Sequence, residues 1–199
     1  MSDMQSASSP TRPVRFGWFL AIAGAVAWLA SVTLTLERLA LYNDPGHVTS
    51  CDINPWVSCG AVMQEWQAAL FGFPNPFIGV VGFAVVVTIG ITLVAGARLP
   101  RWYWIGLQIG MTLGFAFIVW LWSQALYSIH ILCLYCMVVW AMMIPLFVMT
   151  TARNIAAGVF GGGPRLRAAA AEWGWVVAAG LVVLCAASVL ISFSGVFFG

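Results

Sequence analysis

Five cysteines are the residues in this chain best suited to covalent chemistry, and four of them fall into two pairs. Cys51 and Cys59 stand eight residues apart in a polar stretch that carries Asp44, Pro45, Gly46, Asp52 and Asn54. Cys133 and Cys136 form a Cys-Leu-Tyr-Cys motif where an apolar run begins. A spacing of i, i+3 puts two side chains on one helix face. It also brings two backbones within disulfide reach. The positive end of a helix N-terminus stabilises a thiolate, which is the attacking species in disulfide exchange. The second pair therefore reads as redox-active, half sunk in apolar surroundings where a lipid-soluble electron acceptor could approach sideways. The first pair reads as lying in a water-exposed loop, with Cys51 within reach of a soluble thioredoxin-fold protein. Cys185 is alone inside an apolar run and reads as a packing residue.

Two blander arrangements compete. Both pairs could be structural staples, but a bridge across i, i+3 closes too small a loop to stabilise much by chain entropy. Four thiolates could hold zinc, yet structural zinc sites pair cysteines at spacings of about two to four residues, which the eight-residue separation does not match. No metal is expected. His47 and His130 each lie near a redox cysteine in sequence, and either could tune a thiolate.

The elements that must position these cysteines are membrane spans. The chain is 62% apolar and 7% charged, against roughly 25% charged in soluble domains. A spanning helix needs roughly 20 apolar residues. Five stretches qualify: about Phe16 to Leu36, Pro76 to Ala97, Trp102 to Leu126, Ile131 to Met149 and Trp173 to Phe193. In lipid each must be a helix. Trp18, Trp102, Trp104, Trp122 and Trp173 sit near span ends, as interfacial aromatics do. The first run is too long for the h-region of a cleaved signal peptide.

All eight basic residues are arginines, a weak pointer to a bacterial source, and a basic patch for nucleic acid is absent. Arg12, Arg15, Arg98, Arg101, Arg153, Arg165 and Arg167 fall on one side of the five spans, and Arg38 alone on the other. The positive-inside rule places the N-terminus in the cytoplasm and all four paired cysteines at the outer face, the oxidising side of a bacterial plasma membrane. The expected organisation is a tail over 1–15, a catalytic core over 16–151 with an outer loop at 39–75, a linker over 152–172 marked by Gly161-Gly162-Gly163-Pro164, and a fifth helix over 173–199. After Cys59, the residues Val62, Met63, Trp66, Ala69, Leu70 and Phe73 fall near helical spacing, with Gln64, Glu65 and Gln67 polar. That pattern predicts a short amphipathic helix on the membrane surface, a lid that could hold Cys59 over Cys133. Ionisable groups are nearly missing from the spans, which argues against a proton- or ion-coupled transporter. A non-enzymatic scaffold with stapled loops is the remaining rival.

The Cys-x7-Cys pair, then Phe73-Pro74-Asn75-Pro76-Phe77-Ile78-Gly79, then CxxC at the start of the fourth span, resemble the bacterial homologues of vitamin K epoxide reductase. The resemblance covers about Phe16 to Met149. The unrelated DsbB-type quinone reductases carry the two kinds of cysteine pair in the opposite order. The resemblance implies an all-α membrane protein: a four-helix bundle around a quinone, with a peripheral fifth helix. It implies that a DsbA-like protein gives electrons to Cys51, that Cys59 hands them to Cys133, and that Cys136 faces a ubiquinone or menaquinone. Many bacterial members carry a fused thioredoxin domain; with the chain ending at Gly199, a separate partner is expected. A quinone or quinone-epoxide reductase valued for its quinol is the alternative within enzymes. Asn75 matches the family's polar contact to quinone, although Asn before Pro76 is also an ordinary helix N-cap. Glu65 stands where the family commonly has a Ser or Thr that bonds a quinone carbonyl. Trp140 stands where vertebrate members have Tyr. Both are expected at the quinone.

Overall fold

The computed structural model describes residues 13–197, so Arg12 and Gly199 lie outside it. Five helices are long and apolar enough to cross a membrane. They are α1 (Pro13–Asn43), α3 (Pro76–Val94), α4 (Arg101–Gln124), α5 (Leu134–Ala156) and α6 (Pro164–Ser192). A six-residue helix α2 (Cys59–Gln64) lies in the loop between α1 and α3, and a terminal turn α7 spans Ser194–Phe197. Large apolar side chains face outward at mid-helix, among them Val81 and Val85 on α3, Ile109 and Leu113 on α4, and Val183 and Leu184 on α6. A water-soluble protein would not leave so continuous an apolar surface bare; lipid covers it.

The bundle is a ring of four helices with one open seam. α1 packs along α3 and also against α5, and α5 packs against α4. Small residues allow the tightest of these contacts. A β-carbon on Gly90 would lie 2.5 Å from the Ala21 backbone nitrogen, and one on Gly17 would lie 2.9 Å from the Gly90 carbonyl. α3 and α4 follow each other in sequence, yet they hardly touch. The gap between them is a cavity of about 900 Å³. α6 stands outside the ring. It packs on α5, where Gly174 lets the backbone approach Ala152 and Met149, and Trp175 meets Phe19 of α1 edge-on at 5.2 Å. Cys185 packs against the bundle core from this helix, in the packing role expected of it.

Helix ends differ from the sequence-based bounds for local reasons. α1 continues past the charged pair Glu37–Arg38 to Asn43, because its last turns leave the apolar layer and meet polar loop groups. α6 starts at Pro164, at the first helical position where a missing N–H is harmless. The linker therefore shrinks to residues 157–163, with Gly158, Gly161 and Gly162 in the left-handed region. α4 ends in a π turn (Ala125–Ile129) closed by His130 in left-handed geometry, φ 57°. α5 begins at Leu134, three residues later than the apolar run suggests.

Candidate functional site: a chain of sulfurs at the mouth of a cavity

The loop that carries the first cysteine pair is built around Asp52. Its carboxylate accepts from the Thr49 N–H at 2.7 Å, the Ser58 hydroxyl at 2.6 Å and the Gly60 N–H at 3.0 Å. Burial opposes its ionisation, but these donors outweigh burial and hold the carboxyl below its ordinary value. Ser58 also caps α2, accepting from the Ala61 N–H at 3.0 Å. Gly60 is needed here, since a β-carbon would lie 2.9 Å from the Asp52 carboxylate. Asn54 turns the chain through Pro55 by accepting from the Trp56 and Val57 N–H groups.

A second fastening joins this loop to the other pair. Val57 and Leu132 form a parallel bridge: the Ser58 N–H donates to the Leu132 carbonyl at 3.0 Å, and the Leu132 N–H to the Trp56 carbonyl at 2.8 Å. The residues that follow each partner, Cys59 by two and Cys133 by one, are thereby brought side by side. Cys51 and Cys59 are disulfide-bonded, with Cα atoms 5.6 Å apart. The Cys59 sulfur then lies 3.3 Å from the Cys133 sulfur. Cys133 is the N-cap of α5, outside the helix proper, and its sulfur accepts from the Cys136 N–H at 3.3 Å. Cys133 and Cys136 are both free and both line the cavity. Three sulfurs lie within 4.8 Å of one another. With two of them bonded together, the cluster is a disulfide facing a thiol, the arrangement for exchange.

Several expected site residues sit elsewhere than the sequence suggests. Cys51 is 1% exposed, packed with Leu34, Leu41 and Met63, so it is not open to solvent in this state. The loop exposes Asp44 and Asn54 together with apolar Val48 and Ile53, while the cysteine between them turns inward onto its apolar cluster. The amphipathic segment is not one helix. α2 ends at Gln64, Glu65 takes extended backbone, and a 3-10 turn (Trp66–Ala69) follows. That break corrects the single lid helix. Glu65 is exposed and does not line the cavity, whereas Gln67 is buried and does. The polar side chain this turn presents to the cavity is therefore Gln67 and not Glu65. Asn75 lines the cavity but makes no side-chain cap on α3. Its amide instead donates to the Gln67 carbonyl at 2.6 Å, and its oxygen accepts from the Leu70 N–H at 3.3 Å, tying the turn shut. Trp140, one helical turn below Cys136, is buried in the cavity wall. His47 pairs with Glu37 at 2.9 Å, and His130 meets the Ser128 carbonyl. Neither histidine hydrogen-bonds a sulfur among the described residues.

Other residues of the site gave no clear signal in the sequence. Glu37 also accepts from the Ser50 N–H at 3.0 Å, and the Ser50 hydroxyl meets the Tyr135 hydroxyl at 3.0 Å, linking the loop to the CxxC segment. Arg38 donates to the Met63 carbonyl and lines the cavity's outer end. Gln67 had a detectable signal: with Met63 and Leu70 it falls on the i, i+4, i+7 stripe that an apolar residue should fill.

The profile of the vitamin K epoxide reductase family matches residues 18–151. The chain belongs to the vitamin K epoxide reductase family. It is a membrane oxidoreductase of the thiol and quinone kind. No curated protein sequence matches the chain. The matched span contains both cysteine pairs, the loop between α1 and α3 and most of the four-helix ring, and ends before α6. The cavity suits the family's quinone chemistry: it is almost wholly apolar, holds few polar groups, and has Cys136 on its wall.

Proposed function

We propose that this protein is a thiol:quinone oxidoreductase that reoxidises a separate thioredoxin-fold protein at the outer face of a bacterial plasma membrane. The observation that carries the proposal is the sulfur chain, from the Cys51–Cys59 disulfide across 3.3 Å to Cys133 and then to Cys136 on the cavity wall. A reduced donor dithiol attacks Cys51, becomes a disulfide itself, and leaves Cys51 and Cys59 as thiols. The Cys59 thiolate attacks Cys133 in an oxidised Cys133–Cys136 pair, releasing the Cys136 thiol. Cys51 then attacks Cys59, which restores the loop disulfide and frees Cys133. The two thiols of the CxxC pair pass two electrons and two protons to the quinone, giving quinol and the Cys133–Cys136 disulfide. The loop disulfide beside two free thiols is the state just before that last step.

The seam between α3 and α4 supports a lipid-borne acceptor, because an isoprenoid chain could leave the cavity through it. Val48 and Ile53, 73% and 67% exposed on either side of Cys51, support docking of a protein donor. The arginine asymmetry supports the sidedness. Purified protein, a reduced thioredoxin-fold donor and a soluble quinone analogue test the proposal. Quinone absorbance should fall only when protein and dithiol are both present; no thiol-dependent fall would contradict it.

A further inference from the structure

One buried group in the cavity wall is unaccounted for. The Gln67 side chain is 3% exposed, and its Oε1 has no hydrogen-bond partner among the described residues. Its Nε2 donates at 3.4 Å to the Gln124 oxygen, a long bond to a half-buried side chain. An orphaned buried oxygen loses its hydration without compensation, so its retention calls for a reason. Its neighbour Asn75 differs. Asn75 is locked at both ends, by the Gln67 backbone carbonyl and the Leu70 N–H, so its amide cannot turn over without breaking both bonds. A quinone carbonyl accepts hydrogen bonds only. A quinol hydroxyl also donates one, and needs an acceptor.

We infer that Gln67 is the reversible polar contact of the quinone site, its amide donating to quinone and its oxygen accepting from quinol. A half-turn of the carboxamide exchanges the two groups, and Gln124, itself an amide, can follow as donor or acceptor. The fixed Asn75 amide and the reversible Gln67 amide together let one pocket hold substrate and product. This inference rests on the proposed quinone reading of the cavity.

The test is equilibrium binding of a short-chain ubiquinone analogue, oxidised and reduced, to wild type and to Gln67→Leu, read by tryptophan quenching. The leucine is of similar volume and removes the orphan oxygen. The empty variant should therefore melt at the same temperature as wild type or higher, while binding both redox forms about threefold to tenfold more weakly. A merely structural glutamine would give the opposite pattern, a lower melting temperature with unchanged affinity. Gln67→Met, a second apolar replacement, should repeat the result. Wild-type binding with unchanged affinity in both variants would overturn the role of Gln67 alone. Failure of wild type to bind either form would overturn the quinone reading, and this inference with it.

Discussion

The two ends of the bundle each bury a polar network, and they use it differently. At the arginine end, Asn154 is fully buried and donates to the Gln108 oxygen at 3.0 Å and to the Trp104 carbonyl. Gln108 donates onward to Thr151 at 2.8 Å, and the Arg153 guanidinium stacks over the Trp104 ring at 3.3 Å while bonding the Asn154 oxygen. This network joins α4 to α5 directly, helix to helix. At the cysteine end, the Asp52 and Glu37 networks join loop to loop and loop to helix end. They enclose a small apolar cluster of Leu34, Leu41 and Met63 around sulfur. The first network holds elements that packing has already brought together. The second fixes the distance between groups that packing alone would leave free to move. A hydrogen bond thus affects stability at one end and sulfur register at the other.

Asn154→Ala is expected to have the largest effect. It strips partners from Gln108 and Arg153 inside the bundle, and breaking a buried network of this kind is expected to cost about 3 kcal/mol of stability. Chemical or thermal unfolding should show that loss. The surviving folded protein should still exchange thiols among Cys51, Cys59 and Cys133 at the wild-type rate. A specific fall in exchange would mean the two ends are coupled.

Asp52→Asn probes the other end. Bonds to a charged acceptor are worth roughly 1.5–3 kcal/mol each. The amide can replace only part of that set, so the loop should open about tenfold to thirtyfold more often, a change of about 2 kcal/mol. Reduction of the Cys51–Cys59 bond by a small water-soluble dithiol should speed up by that factor, with the melting temperature of the bundle hardly moved. Unchanged reduction kinetics would remove Asp52 from its role as the loop's hub.

Acid gives a smaller version of the same effect. The Asp52 carboxyl is held below its ordinary value of 3.8, so its stabilising contribution is complete above that value and is lost as pH falls through the lower value of the folded loop. Wild-type loop reduction, corrected for thiol ionisation, should therefore accelerate in acid below about pH 4, while Asp52→Asn should show no such limb.

The contrast also explains what the sequence disclosed. The five spans were legible because lipid imposes one rule, an apolar run of sufficient length, and nothing non-local is needed to apply it. Cys59 beside Cys133 was suggested by a lid that does not exist as one helix. The pairing actually comes from the bridge of Val57 to Leu132, a contact across more than seventy positions that no local pattern encodes. Glu65 is expected at the cavity only because it stands where the resembled family has a quinone-bonding Ser or Thr; the local pattern puts it on the polar face, and the structure leaves it exposed. Gln67 is buried although the chain breaks at Glu65, on the side where its i, i+4 spacing from Met63 already put it. Cys51 looked reachable because its neighbours are polar, yet loops bury single residues without changing their average composition.

Whether electrons cross between Cys59 and Cys133 is decided by disulfide mapping of the purified Cys136→Ala protein. Without Cys136 the Cys133 thiol has no resolving partner and lies 3.3 Å from Cys59. A substantial share of molecules should carry a Cys59–Cys133 bond and a free Cys51 in peptide mass maps. If every molecule instead keeps the Cys51–Cys59 bond with Cys133 free, the sulfurs do not exchange and electrons do not pass by this route.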